Sequence, residues 1–445
     1  MSETLFTLPE GNQPTSESGG GQPRLEKPDR RQIKIHIAAL DDLMPGDHRA
    51  RMVWGLVQTY DLEPLYARIR AVEGGAGRPA IEPRVLVAIW LYATLEGVSS
   101  ARELARLCEE HLAYQWLLGG ITINYHTLSD FRVESGEALE NILTKSVAAL
   151  MREGVITVEK TAQDGMRIRA SAGASSFRRK PTLEECLKQA QAAVEQLKGE
   201  QEQAEEAHSA GPKAAQERQA REKLERVKKA LEEVEKVAAK RAKRRDLKVK
   251  NRAVRASTTD PEARVMKMSD GGFRPAYNGQ FSIDMDSGLI VGVQASNEAD
   301  TNLLNPMLDQ IKERCQRLPQ EHYVDGGYRN NVSFEQATEK GVTLYCPIPA
   351  SYSAQSQKRP QDPLPTDGSG VRAWKERMVT PQAKEKYKQR AATIEWANAL
   401  ARNRGLYRLL VRGLRKVQAV LLWYALAHNL IQILNIRSKM VELAA

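Results

Sequence analysis

A carboxylate and a glycine follow an apolar run in the stretch Val155-Ile156-Thr157-Val158-Glu159-Lys160-Thr161-Ala162-Gln163-Asp164-Gly165-Met166. Asp325 has a similar setting, between His322-Tyr323-Val324 and Gly326-Gly327. Because glycine lets the backbone turn sharply, we predict that each aspartate ends a strand and stays exposed at one sheet edge. A third acid, Glu395, lies in a stretch with a helical pattern. The sequence therefore predicts that two strands and a helix bring three carboxylates together.

Such carboxylates suit a divalent metal ion. Mg²⁺ prefers oxygen ligands and usually keeps several waters, so a few carboxylates and a substrate phosphate are enough to bind it. Two ions roughly 3.5–4 Å apart can activate a water and stabilise the oxygen that leaves a phosphodiester. Such chemistry needs no protein nucleophile.

Several motifs in order along the chain resemble the DDE transposases of bacterial insertion sequences. They are Val158–Ala172, Ser257–Arg264, Tyr277–Gln280, Tyr323–Tyr328 and Tyr387-x2-Arg390-x4-Glu395-x6-Arg402. Earlier segments resemble the helical domain that precedes the catalytic core in one branch of this family: Gly77-Arg78-Pro79, Leu95-Glu96-Gly97 and His126–Arg132. The resemblance covers about residues 36–435.

The resemblance implies an RNase H-like core whose catalytic and metal-binding residues are Asp164, Asp325 and Glu395. It implies Mg²⁺ or Mn²⁺ as cofactor, with two ions, and double-stranded DNA as partner, bound by a homodimer. The family positions around the glutamate fall on residues that would contact DNA, namely Tyr387, Arg390 and Arg402.

The spacing before the third acid departs from the common family pattern. Four residues rather than three separate Arg390 from Glu395. In an α-helix one extra residue rotates a side chain by about 100°. Glu385 is therefore kept as the alternative third acid.

Composition and charge agree with a nucleic-acid partner. The 445 residues are 41% hydrophobic and carry a formal net charge of +10; Lys and Arg bind phosphates by releasing counterions, although acidic partners or solubility could also explain this balance. Further DNA-contact candidates are Arg132 and, within the basic run 240–245, Lys240, Arg241, Arg244 and Arg245. The 4 cysteines show no CxxC spacing, which favours a reducing cytosol without a zinc site. A cytoplasmic, nucleoid-associated protein is expected.

The predicted fold class is mixed α+β and α/β. A disordered tail (1–32) precedes an all-α DNA-binding domain (33–152), in which a helix-turn-helix-like module and a plain packing domain both remain open. An RNase H-like core (153–180 and 247–435) is interrupted by a coiled-coil helical hairpin (181–246), and a short tail (436–445) follows. Leucines and valines at three- and four-residue steps indicate the hairpin, which either pairs within the chain or joins two chains.

No signal peptide is visible. The late apolar run Val417–Leu434 contains Gln418, His428, Asn429 and Gln432, so we interpret it as a buried helix rather than a membrane span. The predicted function is a transposase that binds the terminal inverted repeats of its element, cleaves DNA and transfers strands. The alternatives are a related nuclease without strand transfer and an inactive DNA-binding protein.

Overall fold

The computed structural model describes residues 37–71, 79–203, 210–243, 253–348 and 362–444. The predicted tail 1–32 and the motif residues Gly77 and Arg78 lie outside these ranges. The described residues before Lys160 form helices and loops only. The helices are α1 (Arg49–Gln58), α2 (Glu63–Tyr66), α3 (Pro83–Leu95), α4 (Ala101–Glu110), α5 (Leu112–Leu118), α6 (Tyr125–Glu134) and α7 (Gly136–Arg152).

Helix α3 is the centre of this helical layer. Glu82 caps its first turn by accepting from the Val85 amide, and every residue of the helix except Arg84 is buried. On the neighbouring α4, Arg106 forms ion pairs with Glu103 and Glu110, so this part of its surface is neutralised within the helix. These contacts favour a packing role for α3; DNA binding by this layer stays a prediction.

The ranges described from Lys160 onward contain eight strands: β1 (Lys160–Arg169), β2 (Phe177–Arg178), β3 (Ala256–Ser257), β4 (Arg264–Lys267), β5 (Phe273–Asp284), β6 (Ile290–Ser296), β7 (Glu321–Tyr323) and β8 (Thr343–Tyr345). The main sheet has the order β6-β5-β1-β7-β8, with β4 beside the start of β5. Strand β1 is antiparallel to β5 and parallel to β7, which is parallel to β8. Strands β5 and β6 are antiparallel and form a hairpin whose connection contains Asp286–Gly288.

The predicted turn at Asp164-Gly165 is wrong. The run Val155–Val158 precedes the strand rather than forming it, and Val158 has a φ of 56°. Asp164 lies in the middle of β1, and Gly165 is paired with Gln280 of β5. A side chain at Gly165 would collide with those of Gln280 and Asp300, so this glycine provides space rather than a turn.

The helices after β1 are α8 (Lys180–Gln203), α9 (Ala210–Ala242), α10 (Leu304–Cys315), α11 (Asn331–Glu339), α12 (Ser369–Val379), α13 (Pro381–Lys388), α14 (Trp396–Asn403) and α15 (Leu414–Ala444). Helices α8 and α9 are inserted between β2 and β3 and pack together through Leu183, Ala230 and Val234. Lys180, at the start of α8, pairs with Glu235 near the end of α9. The described contacts are those of a pair within one chain.

Helix α15 joins the helical layer to the sheet. Its segment Leu414–Met440 is long and apolar enough to cross a membrane, yet 72% of its most apolar window is buried within the protein. Trp423 donates its indole N–H to the Arg132 carbonyl of α6, and Asn429 bonds to the backbone of Ile290. This burial agrees with the predicted packing helix.

Polar side chains form a hydrogen-bonded line through the sheet. The imidazole of His322 lies 2.7 Å from the Thr161 hydroxyl and 3.2 Å from the Gln163 side-chain oxygen. Gln163 in turn donates to Gln280 at 2.8 Å. Burial lowers the pKa of His322 to about 3, so this imidazole is neutral in the folded protein at neutral pH.

The stability of the protein should therefore fall as the pH drops below about 6.5, the ordinary pKa of histidine in an unfolded chain. Between pH 6.5 and 3 the unfolded state binds a proton at His322 that the folded state does not bind, which favours unfolding. Between pH 7 and pH 5, His322 alone should lower the free energy of unfolding by about 2 kcal/mol. Urea unfolding at both pH values measures the loss, and His322→Gln should reduce it. An unchanged pH dependence in this variant would contradict the buried neutral imidazole.

Candidate active site

Asp164 lies near the middle of β1 with 19% of its side chain exposed. One carboxylate oxygen accepts from the Gly165 amide, and the other accepts from the Asn398 amide group at 2.9 Å. Burial raises the pKa of Asp164, the Arg390 guanidinium opposes this rise, and the charge of Asp325 adds to it. Asp164 and Asp325 are thus near enough to interact electrostatically.

Asp325 follows the end of β7, which runs parallel to β1. Its carboxylate accepts from the Gly327 amide at 2.8 Å and caps the short helical turn Gly326–Tyr328. The chain therefore turns directly after Asp325, as the sequence predicts. Tyr387, predicted to contact DNA, donates its hydroxyl to the Val324 carbonyl at 3.2 Å, which fixes α13 against the end of this strand.

Arg390 connects two of the three predicted acids. Only 4% of the residue is exposed, and its guanidinium lies 3.0 Å from an Asp164 oxygen and 2.8 Å from a Glu395 oxygen. Glu385, the alternative third acid, pairs instead with Lys388, and 73% of its side chain is exposed. The geometry thus favours Glu395 over Glu385. Arg390 was predicted to contact DNA, but in this structure its guanidinium is already paired with two carboxylates.

The extra residue before Glu395 is absorbed by a change of helix type. Residues Ala391–Glu395 form a π-helical turn between α13 and α14. A π-turn closes i to i+5 hydrogen bonds and takes up one more residue than an α-turn. Glu395 therefore faces Arg390 five positions earlier, and the rotation expected for a continuous α-helix does not occur.

Deleting Ala392 should convert this turn to an α-turn with little effect on the site. Ala392 is exposed, and the shorter spacing would leave Arg390 and Glu395 as α-helical i, i+4 neighbours. We expect the deletion variant to keep DNA cleavage within about tenfold of the original protein, a cost of about 1.4 kcal/mol. Deleting Lys384 from α13 is the control, because it rotates the helix upstream and should abolish cleavage. Equal loss in both deletions would contradict the role given to the π-turn.

The donors around Asp164 suit a hard divalent cation. The described residues bring no three acidic, histidine or cysteine side chains close enough to hold an ion as they stand, since the Arg390 guanidinium lies between Asp164 and Glu395. Beside them, the Asn398 side-chain oxygen is buried and has no hydrogen-bond partner. A carboxylate set with an unused amide oxygen is the kind of donor set that Mg²⁺ prefers.

A fourth acid, Asp300, lies beside the site and was not recognised in the sequence, where its position suggests a helix cap. It instead accepts from Arg167, Asn278 and Gln280. Burial alone would raise its pKa, but these hydrogen bonds leave the pKa lowered. Asn278 and Gln280 alternate along β5 in the Tyr277–Gln280 motif, and this pattern of buried polar residues is the signal that could have revealed it. Its oxygens are already bonded, so Asp300 holds neighbouring side chains in place.

The remaining predicted DNA contacts have different surroundings. Arg402 is exposed and forms no side-chain bond within the described part of the chain. Arg132 is buried over the Trp90 ring, and burial lowers its pKa to about 10; the structure does not support its prediction as a DNA contact. Lys240 pairs with Glu298, and Arg241 donates to the Ala253 carbonyl. Arg244 and Arg245 lie outside the described residues.

The predicted acids lie on β1, after the end of β7 and at the end of the π-turn before α14. The sheet order β6-β5-β1-β7-β8 is that of an RNase H-like fold. Two family models match the chain: a transposase domain (DUF772) over residues 38–134 and a transposase DDE domain over residues 244–430. Together they cover more than half of the sequence. No curated protein and no solved structure matches significantly.

The chain belongs to the DDE transposases of insertion sequences. The resemblance predicted from the sequence motifs is therefore confirmed. The match to the DDE domain also implies the RNase H-like fold that the sheet order displays.

Proposed function

We propose that this transposase binds the terminal inverted repeats of its own element and cleaves and joins DNA at Asp164, Asp325 and Glu395. One observation carries the proposal: Arg390 lies against both Asp164 and Glu395, although the two acids are far apart in sequence. The charge of Asp325 raises the pKa of Asp164, so this carboxylate is near enough to interact with it. Three separate elements thus converge on one charged centre.

The proposed centre holds Mg²⁺ or Mn²⁺ through Asp164, Asp325 and Glu395, with the free oxygen of Asn398 available beside them. When bound, two such ions supply an activated water or 3′-hydroxyl and stabilise the leaving oxygen. Asn398 orients Asp164 through its amide group, and Tyr387 holds the helix that carries Arg390 against β7. Arg390 keeps the carboxylates together when DNA is absent and turns its charge to a phosphate when DNA arrives. Arg402, exposed further along the helix, contacts a neighbouring phosphate.

The proposed partner is double-stranded DNA, both element ends and target, bound by a homodimer in the bacterial cytoplasm at the nucleoid. The net charge of +10 supports a polyanionic partner, because phosphate binding by Lys and Arg releases counterions. The helical residues 33–152 would bind the element ends, and the basic residues after α9 would contact the flanking DNA. The paired helices α8 and α9 are available for contact between two protomers.

A plasmid assay tests the function. Purified protein is mixed with supercoiled DNA that carries the inverted repeats found beside the gene, with Mg²⁺ and a second plasmid as target. We expect nicked or linear donor DNA and element ends joined to the target. Cleavage without joined products would favour a nuclease, and binding without metal-dependent cleavage would favour an inactive DNA-binding protein.

A further inference from the structure

A second cationic surface lies away from the carboxylates. A groove of about 540 Å³ is lined by the small residues Ala170–Ala174 and by four arginines, with no acidic side chain among its described lining residues. The arginines are Arg169, Arg408 and Arg412, together with Arg274, which is already paired with Asp270. We call this surface the arginine groove. None of its residues is among the DNA contacts predicted from the sequence.

Backbone contacts fix two of these arginines side by side. The Arg169 amide donates to the Tyr407 carbonyl at 3.1 Å, and the Leu409 amide donates to the Arg169 carbonyl at 2.8 Å. Arg169 and Arg408 therefore pair across a parallel bridge. Both are exposed, and neither side chain forms an ion pair within the described ranges. Like charges held together without a counter-ion repel each other, so this arrangement is suited to an anionic ligand.

Two further features indicate an extended ligand rather than a single small anion. Arg412 is tied to the floor of the groove by its bond to the Ser171 carbonyl and adds a third charge along it. An exposed aromatic side chain, Phe273 at 65% exposure, is also among the lining residues. Cationic grooves with aromatic side chains suit a nucleic-acid strand, where phosphates meet the charges and sugars or bases meet the rings.

The groove is connected to the carboxylates by the chain itself. Arg169 ends the strand that carries Asp164, and Arg408 follows the helix that begins after Glu395. Arg169 lies five positions after Asp164 along β1, about 16 Å at 3.2–3.4 Å per residue. A DNA duplex rises about 3.4 Å per base pair along its axis, so a duplex lying along β1 advances about five base pairs over this distance.

We propose that the arginine groove binds the DNA backbone about five base pairs along the duplex from the phosphate that is cleaved. The proposal rests on the proposed function, which supplies the DNA and the cleavage point. The groove adds sequence-independent affinity and sets the path of the DNA across the end of β1, without contributing to the chemistry at Asp164.

The test compares two charge-matched double variants. Arg169→Gln with Arg408→Gln removes two charges from the groove, and Lys312→Gln with Arg317→Gln removes two exposed charges near the start of β7, at the opposite end of β1. Fluorescence anisotropy with an end-containing duplex, without divalent metal, gives the affinity at several salt concentrations. Each lost phosphate contact should lower the salt slope by about 0.9. The slope should therefore be lower by about 2 in the groove variant and unchanged in the control variant.

Two further measurements sharpen the result. Arg169→Lys with Arg408→Lys keeps the charges and should restore the salt slope. Neutral methylphosphonates placed in either strand about five base pairs along the duplex from the cleavage point should include one that weakens binding by the original protein and has no effect on the groove variant. Equal slopes in the groove and control variants would overturn the groove while leaving the transposase function intact. If the original protein neither binds nor cleaves DNA, both proposals fail; if it binds and cleaves DNA but the two variants have equal slopes, only the groove fails.

Discussion

Replacing Asp164 and Asp325 together by asparagine should reduce strand cleavage by at least about 10³-fold. Each substitution keeps the size of the side chain and removes the negative charge that a divalent cation needs. Metal-ion stabilisation of a phosphoryl transition state contributes several kcal/mol, and each 1.36 kcal/mol is tenfold in rate. The plasmid cleavage assay with Mg²⁺ measures the loss, and joined products should disappear with cleavage.

The matched pair at the third acid is Glu395→Gln and Glu385→Gln. Glu395 contacts Arg390 in the charged centre, whereas Glu385 is exposed and pairs only with Lys388 among its described neighbours. The first variant should lose cleavage and the second should keep it. DNA affinity measured without metal should stay within about threefold in all variants, less than 1 kcal/mol. Full cleavage by the double aspartate variant would show that Asp164 and Asp325 do not form the cleavage site.

Local sequence patterns led to the three candidate acids but not to the way in which β1 presents the first of them. A glycine after Asp325 does accompany a turn, because the chain leaves β7 at that point. The glycine after Asp164 has another cause: side chains from β5 and from the segment before α10 fill the space where a Cβ would lie. Those neighbours are more than a hundred residues away in sequence. The neighbouring sequence does not distinguish a glycine that permits a turn of the backbone from a glycine that leaves space for other side chains.

The third acid shows a related difficulty. Counting residues from Arg390 suggests a rotation of about 100° if the helix is regular. The π-turn over Ala391–Glu395 removes this rotation. Its formation depends on both flanking helices being held, by Tyr387 on one side and by Asn398 on the other. Only tertiary contacts reveal that the extra residue leaves the acid in place.

Arginines are equally ambiguous when considered in sequence alone. Arg132 and Arg402 both looked like phosphate contacts, yet one is buried against Trp90 and the other is exposed. Long side chains of this type can bury their stems or carry their charge outward. The arginine groove was missed for the same reason, since Arg169 and Arg408 are adjacent only through the parallel bridge between β1 and a distant loop.

Replacing Arg390 by methionine should destabilise the protein in the absence of divalent cations and make its stability depend on them. Methionine keeps much of the length of the side chain but leaves Asp164 and Glu395 without their shared cation. Removing one partner of a buried ion pair costs about 3–5 kcal/mol, and the exposure of Glu395 favours the lower end of this range. Thermal unfolding with EDTA should therefore show a Tm several degrees below that of the original protein.

Adding Mg²⁺ or Mn²⁺ should then raise the Tm of the Arg390→Met variant more than that of the original protein. The cation would take the place between the carboxylates that the guanidinium holds, and a ligand that binds only the folded state stabilises it. Arg402→Met is the control, because the exposed side chain of Arg402 has no bonded partner in the described ranges. This substitution should change neither the Tm in EDTA nor the rise in Tm on adding the cation. Mn²⁺ binding without DNA, measured by electron paramagnetic resonance, should be tighter in the Arg390→Met variant. Equal metal responses in all three proteins would mean that Arg390 does not compete with a cation for these carboxylates, whether or not the variant still cleaves DNA.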